Sequence, residues 1–406
     1  MPSRTPRRFA ALAASILALT ACAPTDTSHT LVLWHAWGGA ELKALKALIG
    51  TYQTAHPGTE VMALQVPYDK LKDKYLRSSA ANGGPDLLIG DADWSGKFAA
   101  SDLVLRTDDG FFSKDELARF YPSTLKSLTL NGKMYALPES RETIALYYNK
   151  KLMPEPPKTV AALFEAAKGV TAKAPGTYGM VFNAKFYYLM GYFFGAGGRL
   201  FDDQDRLAVN SAGGLKALDF LQQVSTASGM LASPEYGKGD GLYKEGKAAM
   251  ILNGPWALGD YRTALGPDLG VATLPALEEG KPAASWVGVK CMMFNPNADP
   301  AHRAMAKDFA LYVTSPAGQK TLSEVAGHVP AAKGVELTPG SPLSVFAAQA
   351  DVGTPVSIRP EISMVWEPMD KVVRQVIEKE APPAKALADA EAVIKAKLEA
   401  VKAQAQ

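Results

Sequence analysis

The stretch from Met134 to Thr159, MYALPESRETIALYYNKKLMPEPPKT, decides how the rest of the chain is read. It follows Asn131-Gly132, flanked by Leu128-Thr129-Leu130 and Met134-Tyr135-Ala136-Leu137, and Asn-Gly supplies the positive φ angles of a two-residue hairpin turn. Glu139-Ser140-Arg141-Glu142 then interrupts an otherwise apolar ribbon running from Tyr135 to Tyr148. Inside a core such an interruption is costly, because each buried charge must find a partner. Where a ribbon crosses a wet gap it costs little. The stretch therefore reads as a crossover between two lobes, with Arg141 and Glu142 facing the gap.

The size of the chain agrees, since 406 residues exceed one ordinary core. With 47% apolar and 21% charged residues, the composition is that of a folded protein. Arg4, Arg7 and Arg8 precede an apolar run from Phe9 to Leu19, too short to span a bilayer but suited to a signal peptide. The run ends in Leu19-Thr20-Ala21-Cys22, which resembles a bacterial lipobox and makes Cys22 the expected lipidated N-terminus. Removing residues 1–21 takes away three Arg and no acid, so 43 basic against 41 acidic side chains become 40 against 41, a formal charge of −1. A near-neutral mature chain argues against a nucleic-acid partner. Cys291 is then the sole remaining cysteine, and it has no intramolecular disulfide partner.

Strand patterns at 30–34, 60–66 and 85–89 alternate with helical patterns at 40–55 and around Leu71 and Tyr75. That order predicts a parallel, doubly wound sheet, with ligands beyond the carboxyl ends of its strands. Trp37, Gly38-Gly39 and Asp91 to Trp94 then lie on the ligand side. A second αβ alternation runs from Thr159 to Trp256, and a return crossover is expected in the apolar ribbon Ser285–Phe294. A third crossing is expected at His328-Val329-Pro330-Ala331.

The order of several short motifs resembles the extracellular solute-binding proteins of sugar-importing ABC transporters, in their maltose-binding branch. The motifs are Gly84-Pro85-Asp86-Leu87-Leu88-Ile89, Asn131 to Pro138, Tyr148-Asn149-Lys150, Pro156-Pro157-Lys158-Thr159, Phe194 to Gly198, Ala249-Met250 with Asn253-Gly254-Pro255-Trp256-Ala257, and Val287-Gly288-Val289. The resemblance implies an α/β, two-lobe periplasmic-binding-protein fold of type II with a three-crossover hinge. It implies an extracytoplasmic monomer, lipid-anchored to the membrane or periplasmic, without cofactor or metal, that hands a sugar to a membrane permease. The expected division is a signal peptide at 1–21 and a tether at 22–29, with 30–140 plus 290–330 as one lobe and 143–286 plus 338–402 as the other. Hinges are expected near 139–143, 286–291 and 329–337.

The resemblance carries the family's cleft carboxylates onto Asp93 and Glu142, its stacking tryptophans onto Trp256 and Trp366, and a stacking tyrosine onto Tyr187 or a neighbour. Where the best-known maltose binder has an Asp-Lys pair after its first strand, this chain has Gly38-Gly39 between Trp37 and Glu41. The archetype's Trp and Arg around the third-strand Asp become Gly90 and Trp94. The residue types alone also suit a sugar, whose apolar faces stack on rings and whose hydroxyls suit carboxylates and guanidinium groups. That chemistry adds Arg141, Trp37, Trp94 and Glu41 to the candidates. Read without the resemblance, Trp256 and Trp366 fit a core equally well, Asp93 fits a helix cap, and Glu142 fits an ion pair with Arg141.

Two other classes compete. A secreted glycosidase would use Asp93 and Glu142 as its carboxylate pair, yet the chain has no HExxH, no G-x-S-x-G and no Walker loop. An iron-binding module would use Tyr147-Tyr148 or Tyr187-Tyr188 as phenolate ligands, but Tyr147 and Tyr148 are strand neighbours that point to opposite faces. Within the sugar class, maltose or maltodextrin is the expected ligand, with trehalose or another oligosaccharide as alternatives.

Overall fold

The computed structural model describes residues 29–108 and 110–404, so the signal segment and Cys22 lie outside the described residues. Among the described residues there are fourteen strands. In chain order they are β1 (Thr30–His35), β2 (Glu60–Gln65), β3 (Leu87–Asp91), β4 (Thr129–Leu130), β5 (Lys133–Met134), β6 (Leu137–Glu142) and β7 (Ala145–Asn149). The remainder are β8 (Tyr178–Asn183), β9 (Met230–Ser233), β10 (Ala248–Asn253), β11 (Leu269–Ala272), β12 (Trp286–Phe294), β13 (Val329–Pro330) and β14 (Thr354–Pro355). One large sheet has the order β13-β6-β12-β3-β1-β2, with β14 appended to β12, the other has β11-β7-β10-β8-β9, and β4 and β5 pair only with each other. Helices cover both sheets, which makes this a mixed α/β fold of two lobes.

The hairpin signal is realised: Asn131 (φ 51°) and Gly132 (φ 76°) connect β4 to β5. Two residues after β6, the chain enters the other sheet as β7, so Thr143-Ile144 is the first crossing. The second crossing leads from β11 into β12, whose first residues, Trp286-Val287, pair with β14 while Lys290 to Phe294 pair with β3. After β13 the chain leaves the first sheet, and the helix Pro342–Asp351 places Phe346 against Tyr147 of the second. Three crossings hold the lobes together at one end.

The first sheet departs from the expected all-parallel arrangement. β1 pairs in parallel with β2 and β3, but β12 pairs antiparallel with both β3 and β6, and β13 pairs antiparallel with β6. The reason is connectivity, since β6 leaves for the second lobe while β12 returns from it. Between Lys290 and Cys291 the register slips, pairing them with Ser140 and Pro138, which leaves Glu139 as the extra residue of a bulge. Bulges re-aim a side chain. Here the bulge gives Glu139 to His328, which arrives just before β13.

Candidate ligand-binding site

Strand alternation sorts the polar interruption of the first crossover. Glu142, at the end of β6, turns towards the cleft and meets Lys290 Nζ of β12 at 3.0 Å. Arg141 turns the other way, which corrects the expectation that it faces the gap. Its Nε donates to Pro330 O at 3.3 Å and its guanidinium lies 5.0 Å from the Tyr121 ring centre. Adjacent strand residues cannot share a face, so only one of the two could reach the cleft.

Asp91 ends β3, and Asp93 sits in the first turn of the helix Ala92–Ala99. The Tyr68 hydroxyl donates to Asp91 at 2.5 Å, and Lys290 lies 3.9 Å from the same carboxylate. Lys290 also stands 5.6 Å from the ring centre of Trp256, which belongs to the other lobe. Burial pushes the Glu142 carboxyl up to about 7, against the pull of Lys290, and pushes Asp93 up to about 6, against the pull of Lys72. Burial alone would lower the Lys290 ammonium, but Glu142, Glu41 and Asp91 outweigh it and drive it upwards. An ammonium shared among carboxylates is fixed in place and stays charged.

The second lobe supplies rings. Trp256 follows Pro255 in a short 3₁₀ turn after β10, Tyr187 is in the first turn of the helix Phe186–Gly195, and Trp366 opens the helix Trp366–Ile377. Tyr187 lies 6.1 Å from Trp256 and 6.3 Å from Trp366 between ring centres, so the three form one half-buried aromatic surface. Tyr236 holds Trp256 by accepting from its Nε1 at 3.2 Å. Trp366 Nε1 reaches across the cleft and donates to Asp93 Oδ2 at 2.9 Å. Asp93, Glu142, Tyr187, Trp256 and Trp366 are thus gathered in one place.

Trp37 and Trp94 are placed differently. They are 2% and 5% exposed, too deep to offer an open stacking face, and they lie beneath Asp91 and Lys290. Glu41 is engaged with His328, whose Nε2 is 3.0 Å from Glu41 and whose Nδ1 is 2.9 Å from Glu139. Burial would lower this imidazolium, but Glu139 and Glu41 prevail and push it up to about 10. A positive His328 donates from both nitrogens and ties the first helix to the first and third crossings.

The Gly38-Gly39 loop contacts the other lobe. Ala40 N donates to Asp260 Oδ1 at 2.9 Å, placing a carboxylate at the start of the helix Gly39–Ala55, where it is favoured. A Cβ on Gly39 (φ 48°) would sit 2.3 Å from that carboxylate, which explains the glycine. Sequence reasoning missed Lys290, Tyr68, Tyr236, His328 and Asp260. Only Lys290 carried a usable signal: it is the one charge in the ribbon Trp286–Phe294, just as Glu142 interrupts the first crossover. Among the described residues no group of three or more His, Cys, Asp or Glu is placed to hold a metal. The Tyr147 hydroxyl donates to Gly254 O in the core at 2.8 Å, away from the cleft.

Two helix-covered sheets joined by three crossings, with rings on one wall of the gap and carboxylates on the other, define a two-lobe binding protein. The family model for bacterial extracellular solute-binding proteins matches residues 47–348, and the chain belongs to that family. A galactooligosaccharide-binding protein of Bacillus subtilis (strain 168) is 26% identical over 97% of each chain. A maltotriose-binding protein of Pyrococcus abyssi is 30% identical over 75% of this chain and 66% of its own length. Among solved structures, a Thermus thermophilus maltotriose-binding protein bound with maltotriose has a TM-score of 0.82 at 28% identity, covering 91% of this chain and 100% of that one. The maltose/maltodextrin-binding domain from Bdellovibrio bacteriovorus, bound to maltotriose, has a TM-score of 0.84 at 25% identity over the same shares of 91% and 100%. No described helix is long and apolar enough to cross a membrane.

Proposed function

We propose that this protein captures an oligosaccharide of the maltodextrin class outside the cytoplasm and presents it to the permease of an ABC importer. The observation that carries the reading is the aromatic surface of Tyr187, Trp256 and Trp366 facing Asp93, Glu142 and Lys290. Rings of the ligand stack on the second lobe through their C–H faces. Carboxylates on the first lobe accept from hydroxyls, and Lys290 donates to ring or glycosidic oxygens. A ligand touching both walls favours the closed arrangement only through interactions that form on closure, and the closed form is what a permease would recognise. Relatives and structural neighbours named for maltotriose and maltodextrin support the ligand class.

The protein acts by binding, without turnover, as a monomer held at the membrane by a lipid on Cys22. A thermal-shift series with glucose, maltose, maltotriose, trehalose and a galactooligosaccharide tests the ligand class. A ligand at one hundred times its Kd adds about 2.7 kcal/mol of stability, so maltose or maltotriose should give the largest shift. A galactooligosaccharide giving the largest shift would move the reading towards the Bacillus subtilis relative. Reducing ends appearing during incubation with maltodextrins would show an enzyme instead.

A further inference from the structure

We propose that a small cavity beneath the charged wall is a hydroxyl pocket that admits the exocyclic hydroxymethyl oxygen of one ring of the bound sugar, with Trp37 as a specificity-determining donor. The inference rests on the oligosaccharide reading above and deepens it. The cavity is about 10 Å³ and is walled by Trp37, Trp94 and Leu71, with Tyr68, Asp91 and Lys290 among its lining. A space of this size holds about one oxygen atom. The Trp37 indole is 2% exposed, and its Nε1–H has no acceptor within the protein. Buried donors are seldom left unpaired, because each one loses its water without replacement.

Trp37 is held firmly for such a role. His35 Nδ1 accepts from its backbone N at 3.1 Å, and Gln65 Nε2 donates to its carbonyl at 3.0 Å. His35 can accept because burial keeps its imidazole neutral, lowering its pKa to about 4. On the other side, the Trp94 ring packs so closely on Gly90 that a Cβ there would be 2.7 Å from it. The pocket therefore combines indole walls, suited to a methylene, with a single unpaired donor and a carboxylate, suited to a hydroxyl. A ring hydroxyl stands one bond from its pyranose, whereas the hydroxymethyl oxygen stands two bonds away. The longer reach makes the hydroxymethyl oxygen the group we assign to the space beside Tyr68, Asp91 and Lys290. Trp37 and Trp94 stand where the chain departs from the best-known maltose binder.

Calorimetric titration of maltotriose, and of three analogues each lacking the 6-hydroxyl of one ring, tests the assignment in wild type and Trp37→Phe. The expected result is one analogue binding wild type about 10-fold more weakly than maltotriose, as for a lost buried hydrogen bond. In Trp37→Phe that gap closes: maltotriose falls to the affinity of the analogue, and the analogue binds as it does to wild type. The unchanged analogue also shows that the variant is folded. Equal binding of all analogues to wild type, or a gap that survives in Trp37→Phe, overturns the pocket and leaves it to a water molecule. Binding of the parent sugar to wild type reports separately on the ligand class.

Discussion

The first lobe presents charge to the cleft, while the second presents rings, and the two walls are built on different local plans. Asp91, Glu142 and Lys290 stand on strands of one sheet and compensate one another at 3.0 to 3.9 Å. Tyr187, Trp256 and Trp366 each stand in the first turn of a helical segment, and ring spacing rather than charge relates them. A compensated charge cluster is a unit, because removing one member leaves the others buried and unpaired. A ring such as Trp256, whose N–H meets the hydroxyl of the exposed Tyr236, can be lost with little effect on its neighbours. The charged wall should therefore couple binding to folding, whereas Trp256 should affect binding alone.

The most severe test is Glu142→Ala, which strands the Lys290 ammonium beside Asp91. Unfolding in urea should show a loss of about 3–5 kcal/mol, and adding Lys290→Met should restore a large part of it. A single-mutant loss below about 1 kcal/mol, the level of an exposed pair, would break the comparison. On the other wall, Trp256→Ala should weaken the preferred sugar by about 1–3 kcal/mol, by analogy with other stacking platforms. Its melting temperature without sugar should stay near that of the wild type. Wild-type affinity in both Trp256→Ala and Trp366→Ala would remove the aromatic surface from the site.

Dependence on pH sharpens the contrast further. His328 is held well above its ordinary 6.5, at about 10, so the stability it contributes is complete below 6.5 and is lost as pH rises through about 10. Asp93 and Glu142 are likewise held above their ordinary values, at about 6 and about 7, so the folded chain retains protons that the unfolded chain has released. Their contribution falls as pH rises from about 4 to about 7. Calorimetric melting from pH 7 to 10 should show a decline that His328→Gln flattens; an unchanged slope would detach His328 from the charged wall. The smallest expected effect is that of Trp366→Phe, which keeps a ring but removes the N–H that favours ionised Asp93. NMR of the Asp93 carboxyl should then show a higher pKa than in the wild type. No change would mean that the two walls do not communicate through this bond.

Much of the architecture could be read from local pattern. Short apolar runs marked β1, β2, β8 and β10, Asn131-Gly132 marked the hairpin, and the charged interruption of an apolar ribbon marked the first crossing. Antiparallel pairing of β12 and β6 could not be read this way, because a strand buried on both faces looks the same in either direction. The bulge at Glu139 was equally silent, since it arises from the register of a partner about 150 residues away.

The sequence by itself determined which residue types were available: tryptophans and a tyrosine at helix starts, and carboxylates at strand ends. Strand geometry needs no fold to set Arg141 and Glu142 on opposite faces, a constraint that the reading of both as facing the gap overlooked. Only the tertiary structure decided which of the two faced the cleft, because that depends on which side of β6 the second lobe lies. Only it decided that Trp37 and Trp94 sit under the charged wall, that Lys290 joins Glu142 to Trp256, and that His328 joins Glu41 to Glu139. These partners are separated by 34 to 287 residues, and side-chain chemistry alone does not say which distant groups meet. That is settled by the order in which strands enter a sheet and by the places where the chain crosses between lobes.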